Sequence, residues 1–132
     1  MSGRNAEIAR EVGRRFEAQD FEGLRPLFHP DAVLWAPEGW PEQGPWKGHD
    51  AIIRQFERLA EDYTAQRTAV DEIIESGDRT VGKLRWRMRG RRSGIDSQLE
   101  VWFANRMRGD RIVEVRYCWS RDDALESAGL KG

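Results

Sequence analysis

Three short turns divide residues 66–119 into four runs of alternating side chains, and few folds accommodate that pattern. The turns are Ser76-Gly77-Asp78, Ser93-Gly94 and Arg108-Gly109-Asp110. Gly and Asp supply the special dihedrals of short hairpin loops. Between the turns, successive side chains fall on opposite faces of a strand. Leu84, Trp86 and Met88 therefore share one face, and Arg85, Arg87 and Arg89 the other. Leu99, Val101, Phe103, Asn105 and Met107 share a face of the third strand, and Val113, Val115, Tyr117 and Trp119 a face of the fourth. One side of the sheet thus holds Trp86, Phe103, Tyr117 and Trp119, which either fill a core or line a pocket. The second strand, residues 79–91, is about twice the common strand length, so Gly82 and Gly90 are the expected points of bending or bulging.

Helices precede this meander. Ile8, Val12 and Phe16 recur every four residues and predict a helix over residues 6–19, with Asn5 as its N-cap. Asp20 caps a second, short helix bearing Phe21, Leu24, Leu27 and Phe28, with Pro26 early in it, where proline is tolerated. Residues 32–36 read as a short strand after the break at His29-Pro30-Asp31. Residues 37–48 read as a loop, and its Trp40 and Trp46 need something to cover. Residues 50–63 carry one broad apolar face, Ile52, Ile53, Phe56, Leu59, Ala60 and Tyr63. Residues 121–130 close the chain as a helix ending near Gly129. Helices followed by an antiparallel sheet give an α+β layer architecture. A long, bent sheet with helices on its concave side forms a cone with room for a ligand.

Bulk properties narrow the partners. At 132 residues the chain is expected to form one domain, residues 1–132. A net charge of −1 argues against a nucleic acid or an anionic membrane as partner. The single Cys118 excludes an internal disulfide and a multi-thiolate metal site, and its strand parity puts it opposite the aromatic face. No metal or organic cofactor is signalled. Residues 1–15 are charged throughout, so neither a signal peptide nor a membrane span is expected, and the expected compartment is the cytosol.

The order and spacing of several stretches resemble the nuclear transport factor 2-like (cystatin-like) superfamily, and within it the SnoaL-like group. They are Phe28-His29-Pro30-Asp31-Ala32-Val33, Gly44-Pro45-Trp46-Lys47-Gly48-His49-Asp50-Ala51-Ile52, Gly77-Asp78-Arg79-Thr80-Val81, Gly109-Asp110-Arg111-Ile112-Val113, and the ending from Trp119-Ser120-Arg121 through Gly129-Leu130. The resemblance implies a cone of N-terminal helices packed on a curved antiparallel sheet. It leaves the function open, because such a fold hosts isomerases, cyclases, hydratases, epoxide hydrolases and non-catalytic modules. Ketosteroid isomerases of this superfamily use a carboxylate base, a tyrosine and a protonated Asp, the groups that enolisation requires. Aligned by turns and helix starts, those positions fall on Ala36, Val12 and Phe103, all apolar, which argues against that mechanism here. The Asp-Arg-Asp set of the related epoxide hydrolases has no counterpart at inward parity.

Candidate chemistry is sparse. His29 and Asp31 either pair as base and orienter or form a turn around Pro30. His49 beside Asp50 reads as a helix cap. Glu38 follows the first strand, near where the resemblance puts a base. Its flanking tryptophans either desolvate it or leave it a solvated loop residue. Asn105 either bonds a ligand or satisfies a buried backbone group. The expected ligand-binding set is Trp35, Trp40, Trp46, Phe56, Trp86, Phe103, Asn105, Tyr117 and Trp119, holding a small apolar or aromatic molecule. Such a pocket serves either a cyclase, isomerase or hydratase-type enzyme or a non-catalytic module. On the outer face, Arg85, Arg87, Arg89 and Arg91 are expected to ladder with Glu100 and Glu114, and Trp102 to lie under an arginine. Trp102 and Ile112, exposed there, would form an isologous homodimer interface.

Overall fold

The computed structural model describes residues 3–40, 42 and 44–130. Helix α1, Arg4–Glu17, buries Ala6, Ala9, Gly13 and Phe16. Its N-cap is Gly3, not the expected Asn5. The missing cap acceptor comes from a distant strand, because the Glu75 carboxylate accepts from the Gly3 N–H at 3.0 Å and from the Ala6 N–H. Helix α2, Phe21–Leu24, is capped as expected by Asp20, which accepts from the Gly23 N–H at 3.0 Å. A 3-10 turn, Arg25–Leu27, leads into β1, Phe28–Trp35. The strand starts at Phe28, so His29-Pro30-Asp31 lies inside it. Two residues of the expected loop, Trp46–Lys47, form β2 on the edge of β1. Helix α3, His49–Asp62, starts after Gly48, whose φ of 90° favours glycine. No side chain caps it, so His49 and Asp50 do not serve that role. The meander is β3, Tyr63–Ser76; β4, Arg79–Gly90; β5, Asp96–Arg108; and β6, Arg111–Cys118. Helix α4, Arg121–Ser127, is capped by Ser120.

The strands form one sheet in the order β2-β1-β6-β5-β4-β3. The sheet is mixed, not wholly antiparallel, because β1 runs parallel to β6. A parallel pair needs a long connection, and here α3 and the rest of the meander provide it. The expected bulges in β4 are absent, since β4 and β5 stay in register from Arg79↔Arg106 to Arg89↔Asp96. The extra residues lie instead on β3, once between Thr64 and Arg67 and once between Asp71 and Ile74, and on β6 beside Arg106 and Met107. Glu72, at φ 52°, marks the second β3 bulge.

Helices α1 and α3 pack on the inner face. Phe16 meets Phe56 and Trp86 edge-on, with ring centroids 5.7 and 6.1 Å apart. Such pairs add roughly 0.5–1.5 kcal/mol each beyond their buried area. Helix α4 packs on the outer face, where Ala124, Leu125 and Ala128 cover Val81, Trp102 and Ala104. Trp102 is therefore 8% exposed and not an open surface residue. Ile112 is also buried, at 1%, because the β6 bulge turns it inward. The two side chains behind the expected dimer interface are thus already covered within one chain. The ring under an arginine is Trp35, with the Arg116 guanidinium 3.9 Å from its centroid. Cross-strand ion pairs form with other partners than expected: Arg85 pairs with Asp71 at 2.8 Å and Arg89 with Asp96 at 2.6 Å, Glu100 takes Lys83 at 3.4 Å, Glu114 takes Arg106, and Arg91 donates to the Ala60 carbonyl. Such half-exposed pairs each contribute little stability. No helix among the described residues is long and apolar enough to cross a membrane.

Candidate functional site

Between α1, α3 and the inner face of the sheet lies a cavity of about 130 Å³. One water-sized position needs roughly 10–15 Å³ on this measure, so the space suits a molecule of one or two rings. Phe16 and Val12 of α1 and Phe56 of α3 form one wall. Leu84, Trp86, Val101, Phe103 and Tyr117 form the other, and Pro37, Trp40 and Trp46 come from the segment between β1 and α3. Among the described residues, no lining side chain is Asp, Glu, His, Lys, Arg or Cys.

The three positions that the isomerase resemblance implied, Val12, Ala36 and Phe103, all line this space. All three place apolar side chains at the cavity. Gly82 shapes the floor. A Cβ there would meet the Phe103 ring at 2.5 Å, so this glycine lets the ring lie flat across β4.

Of the nine residues expected to contact a ligand, Trp40, Trp46, Phe56, Trp86, Phe103, Asn105 and Tyr117 lie on the cavity wall. Trp35 and Trp119 do not. Leu34 takes the inward place in β1, which turns Trp35 to the outer face under Arg116. Trp119 lies beyond the end of β6, where strand alternation no longer holds, and is 44% exposed. Its indole N–H donates to the Glu38 carbonyl at 2.6 Å, and its ring lies 6.2 Å from Trp40. Trp119 thus braces the segment that carries Trp40.

The catalytic candidates lie away from the wall. The Glu38 side chain is exposed. His29 Nδ1 accepts from the Asp31 backbone N–H at 3.0 Å, while the Asp31 carboxylate stands 3.9 Å away, itself exposed. That is local backbone bonding within β1. Cys118 is half-buried against Ser127 at 3.8 Å, and burial pushes its thiol pKa up, away from thiolate chemistry. Among the described residues, no cluster of three or more His, Cys, Asp or Glu could hold a metal.

The cavity's polar groups are neutral. Asn105 of β5 and Gln55 of α3 are 5% and 8% exposed, and neither Asn105 Oδ1 nor Gln55 Oε1 has a hydrogen-bond partner. Thr80, directly across the ladder from Asn105, also has an unpartnered hydroxyl. Sequence reading singled out Asn105 by its inward parity. It missed Gln55, which looks like an ordinary polar residue between Arg54 and Phe56. Only the i+3 spacing from Ile52 would have placed it on the apolar face.

Burial pushes the Tyr117 phenol up to about 12. Its folded-state value then exceeds the unfolded value near 10, so the native state holds the proton longer. Stability from this group is complete below about pH 10 and is lost at roughly 1.4 kcal/mol per pH unit above it, until the folded value is reached. An ultraviolet phenolate titration of the folded protein is expected to show a late step that Tyr117→Phe removes. A Tyr117 titration at the ordinary tyrosine value would contradict its burial.

Residues 9–115 match the family model described as the SnoaL-like domain. A search of curated proteins finds no match. Among solved structures, a nuclear transport factor 2-like protein of unknown function from Burkholderia pseudomallei superposes with a TM-score of 0.77 at 24% identity, covering 94% of this chain and 96% of that one. The Mycobacterium tuberculosis protein RV0760c, crystallised with estradiol-17beta-hemisuccinate, gives 0.77 at 21% identity over 92% and 97%. A Sinorhizobium meliloti protein, provisionally assigned as a polyketide cyclase, gives 0.66 at 21% identity over 84% and 93%. At these identities the likeness is one of fold.

Proposed function

Since the chain belongs to the SnoaL-like domain family, we propose that it binds a small apolar or aromatic-ring molecule inside its cone. The observation that carries this reading is an inner wall of aromatic and aliphatic side chains that, among the described residues, holds no ionisable acid, base or thiol beyond the Tyr117 phenol. Apolar cavities with few polar groups are the usual form of small-molecule sites. The solved structure of RV0760c with an estradiol derivative supports the reading by its fold.

An enzymatic reading of the cyclase, isomerase or hydratase type is favoured by one feature, the neutral hydrogen-bonding groups of Asn105, Gln55 and Tyr117 in the cavity. Such groups can polarise a substrate carbonyl. Among the described residues no carboxylate or imidazole on the wall can accept a proton, so the non-catalytic binding role fits the site better.

Calorimetric titration with naphthalene, a neutral two-ring probe, tests the proposal. Saturable binding at one site per chain is expected. Gly82→Val, which drives the Phe103 ring toward the cavity, should weaken it by about tenfold or more. Absence of saturable binding by the unaltered protein would remove the proposal.

A further inference from the structure

The two cavity amides narrow the class of ligand. A buried acceptor without a donor costs about 1–3 kcal/mol, so native proteins seldom leave one unfilled. Here two such acceptors, Asn105 Oδ1 and Gln55 Oε1, belong to side chains more than nine-tenths buried that both border the same apolar space. They come from different elements, β5 and α3. Neither is needed by the surrounding backbone, since no backbone donor reaches either oxygen. Of the other polar wall residues, Thr68 is already engaged by Glu17 through its backbone N–H and its hydroxyl, and Tyr117 carries a phenol hydroxyl.

We infer that the site takes an uncharged one- or two-ring compound bearing a hydroxyl, which donates to the Asn105 or Gln55 carbonyl, and that it rejects the corresponding carboxylate. This rests on the binding reading above and adds to it the polarity and charge of the ligand. A hydroxyl both donates and accepts, so it matches an amide side chain by either of its ends. A carboxylate only accepts; the amide N–H groups and the Tyr117 hydroxyl can donate to it, but among the described residues the wall holds no cation to balance its charge. Burying an unpaired ion costs several kcal/mol, more than the ring contacts of so small a molecule return.

Three probes of one skeleton separate the terms: naphthalene, 2-naphthol and 2-naphthoate, each titrated calorimetrically at neutral pH, where only the last is ionised. 2-Naphthol is expected to bind about tenfold tighter than naphthalene, the value of one buried hydrogen bond. 2-Naphthoate is expected to bind at least about tenfold more weakly than naphthalene. In Asn105→Leu and Gln55→Leu, each checked for native circular dichroism, the margin of 2-naphthol over naphthalene, both measured on the same variant, should shrink. Equal affinity for 2-naphthol and naphthalene would overturn the inference and leave the binding reading standing, with water serving the amides. So would 2-naphthoate binding as tightly as 2-naphthol, or a 2-naphthol margin that survives both leucine variants combined. Failure of all three probes would remove the binding reading itself and this inference with it.

Discussion

Trp86→Ala is expected to lower the unfolding free energy by about 3–5 kcal/mol, the range for truncating a buried large aromatic. Trp86 is 6% exposed and stands edge-on to both Phe16 and Tyr63, at 6.1 and 5.9 Å. Its indole N–H donates to Gln66 Oε1 at 2.8 Å inside the protein. Truncation removes both ring contacts, opens a void beside the existing cavity and leaves the buried Gln66 acceptor unpaired. The orphaned acceptor alone costs about 1–3 kcal/mol. Trp35→Ala is the natural control. It loses a half-exposed ring beneath Arg116, a contact worth about 0.5–1 kcal/mol at such sites. Urea unfolding followed by circular dichroism measures both. A loss at Trp86 no larger than the loss at Trp35 would mean that α1 is not anchored to the sheet through this ring.

Asn105→Asp should make stability fall as pH rises, in a window where the unaltered protein has no such dependence from this position. The protonated acid nearly matches the amide in shape and hydrogen bonding, so the variant should resemble the parent near about pH 4. Its neighbours offer no positive charge, and burial disfavours the anion, so its folded-state pKa lies above the unfolded value of about 3.9. A group whose folded pKa is raised loses stability as pH climbs past the unfolded value, here at roughly 1.4 kcal/mol per unit. A rise of about two to three units implies a deficit of about 3–4 kcal/mol at neutral pH. Denaturant midpoints of variant and parent, compared at several pH values, read this directly. A constant difference across pH would show that water reaches residue 105 freely.

Local pattern revealed what local forces decide. The hairpin turns at Gly77, Gly94 and Gly109 all have positive φ, and the strands they join lie where alternation placed them. The inward sets of β4 and β5 were legible for the same reason, since a regular ladder preserves parity over its whole length. Parity failed where one residue was inserted or the strand stopped. The β6 bulge turned Ile112 inward, and the end of β6 at Cys118 released Trp119. Strand pairing was invisible for a different reason. The partner of β1 is β6, and the acceptor capping α1 is Glu75, both fixed by contacts far away in sequence. The candidate site followed the same division. Its aromatic wall was readable from period, whereas Gln55 and the outer cover of Trp102 by α4 depend on how helices dock.

The parallel pairing of β1 with β6 also governs the order in which this fold can be completed. Phe28 sits opposite Ile112 and Trp35 opposite Arg116, so the sheet closes only over some eighty residues of intervening chain. The β3–β4 and β4–β5 hairpins are local and form without waiting. Strand β1 gains its long neighbour in the sheet only when β6 has been made, whereas α1 ahead of it can dock earlier, since Glu75 and Thr68 of β3 hold its two ends. During synthesis β1 is therefore the strand that waits longest for its partner.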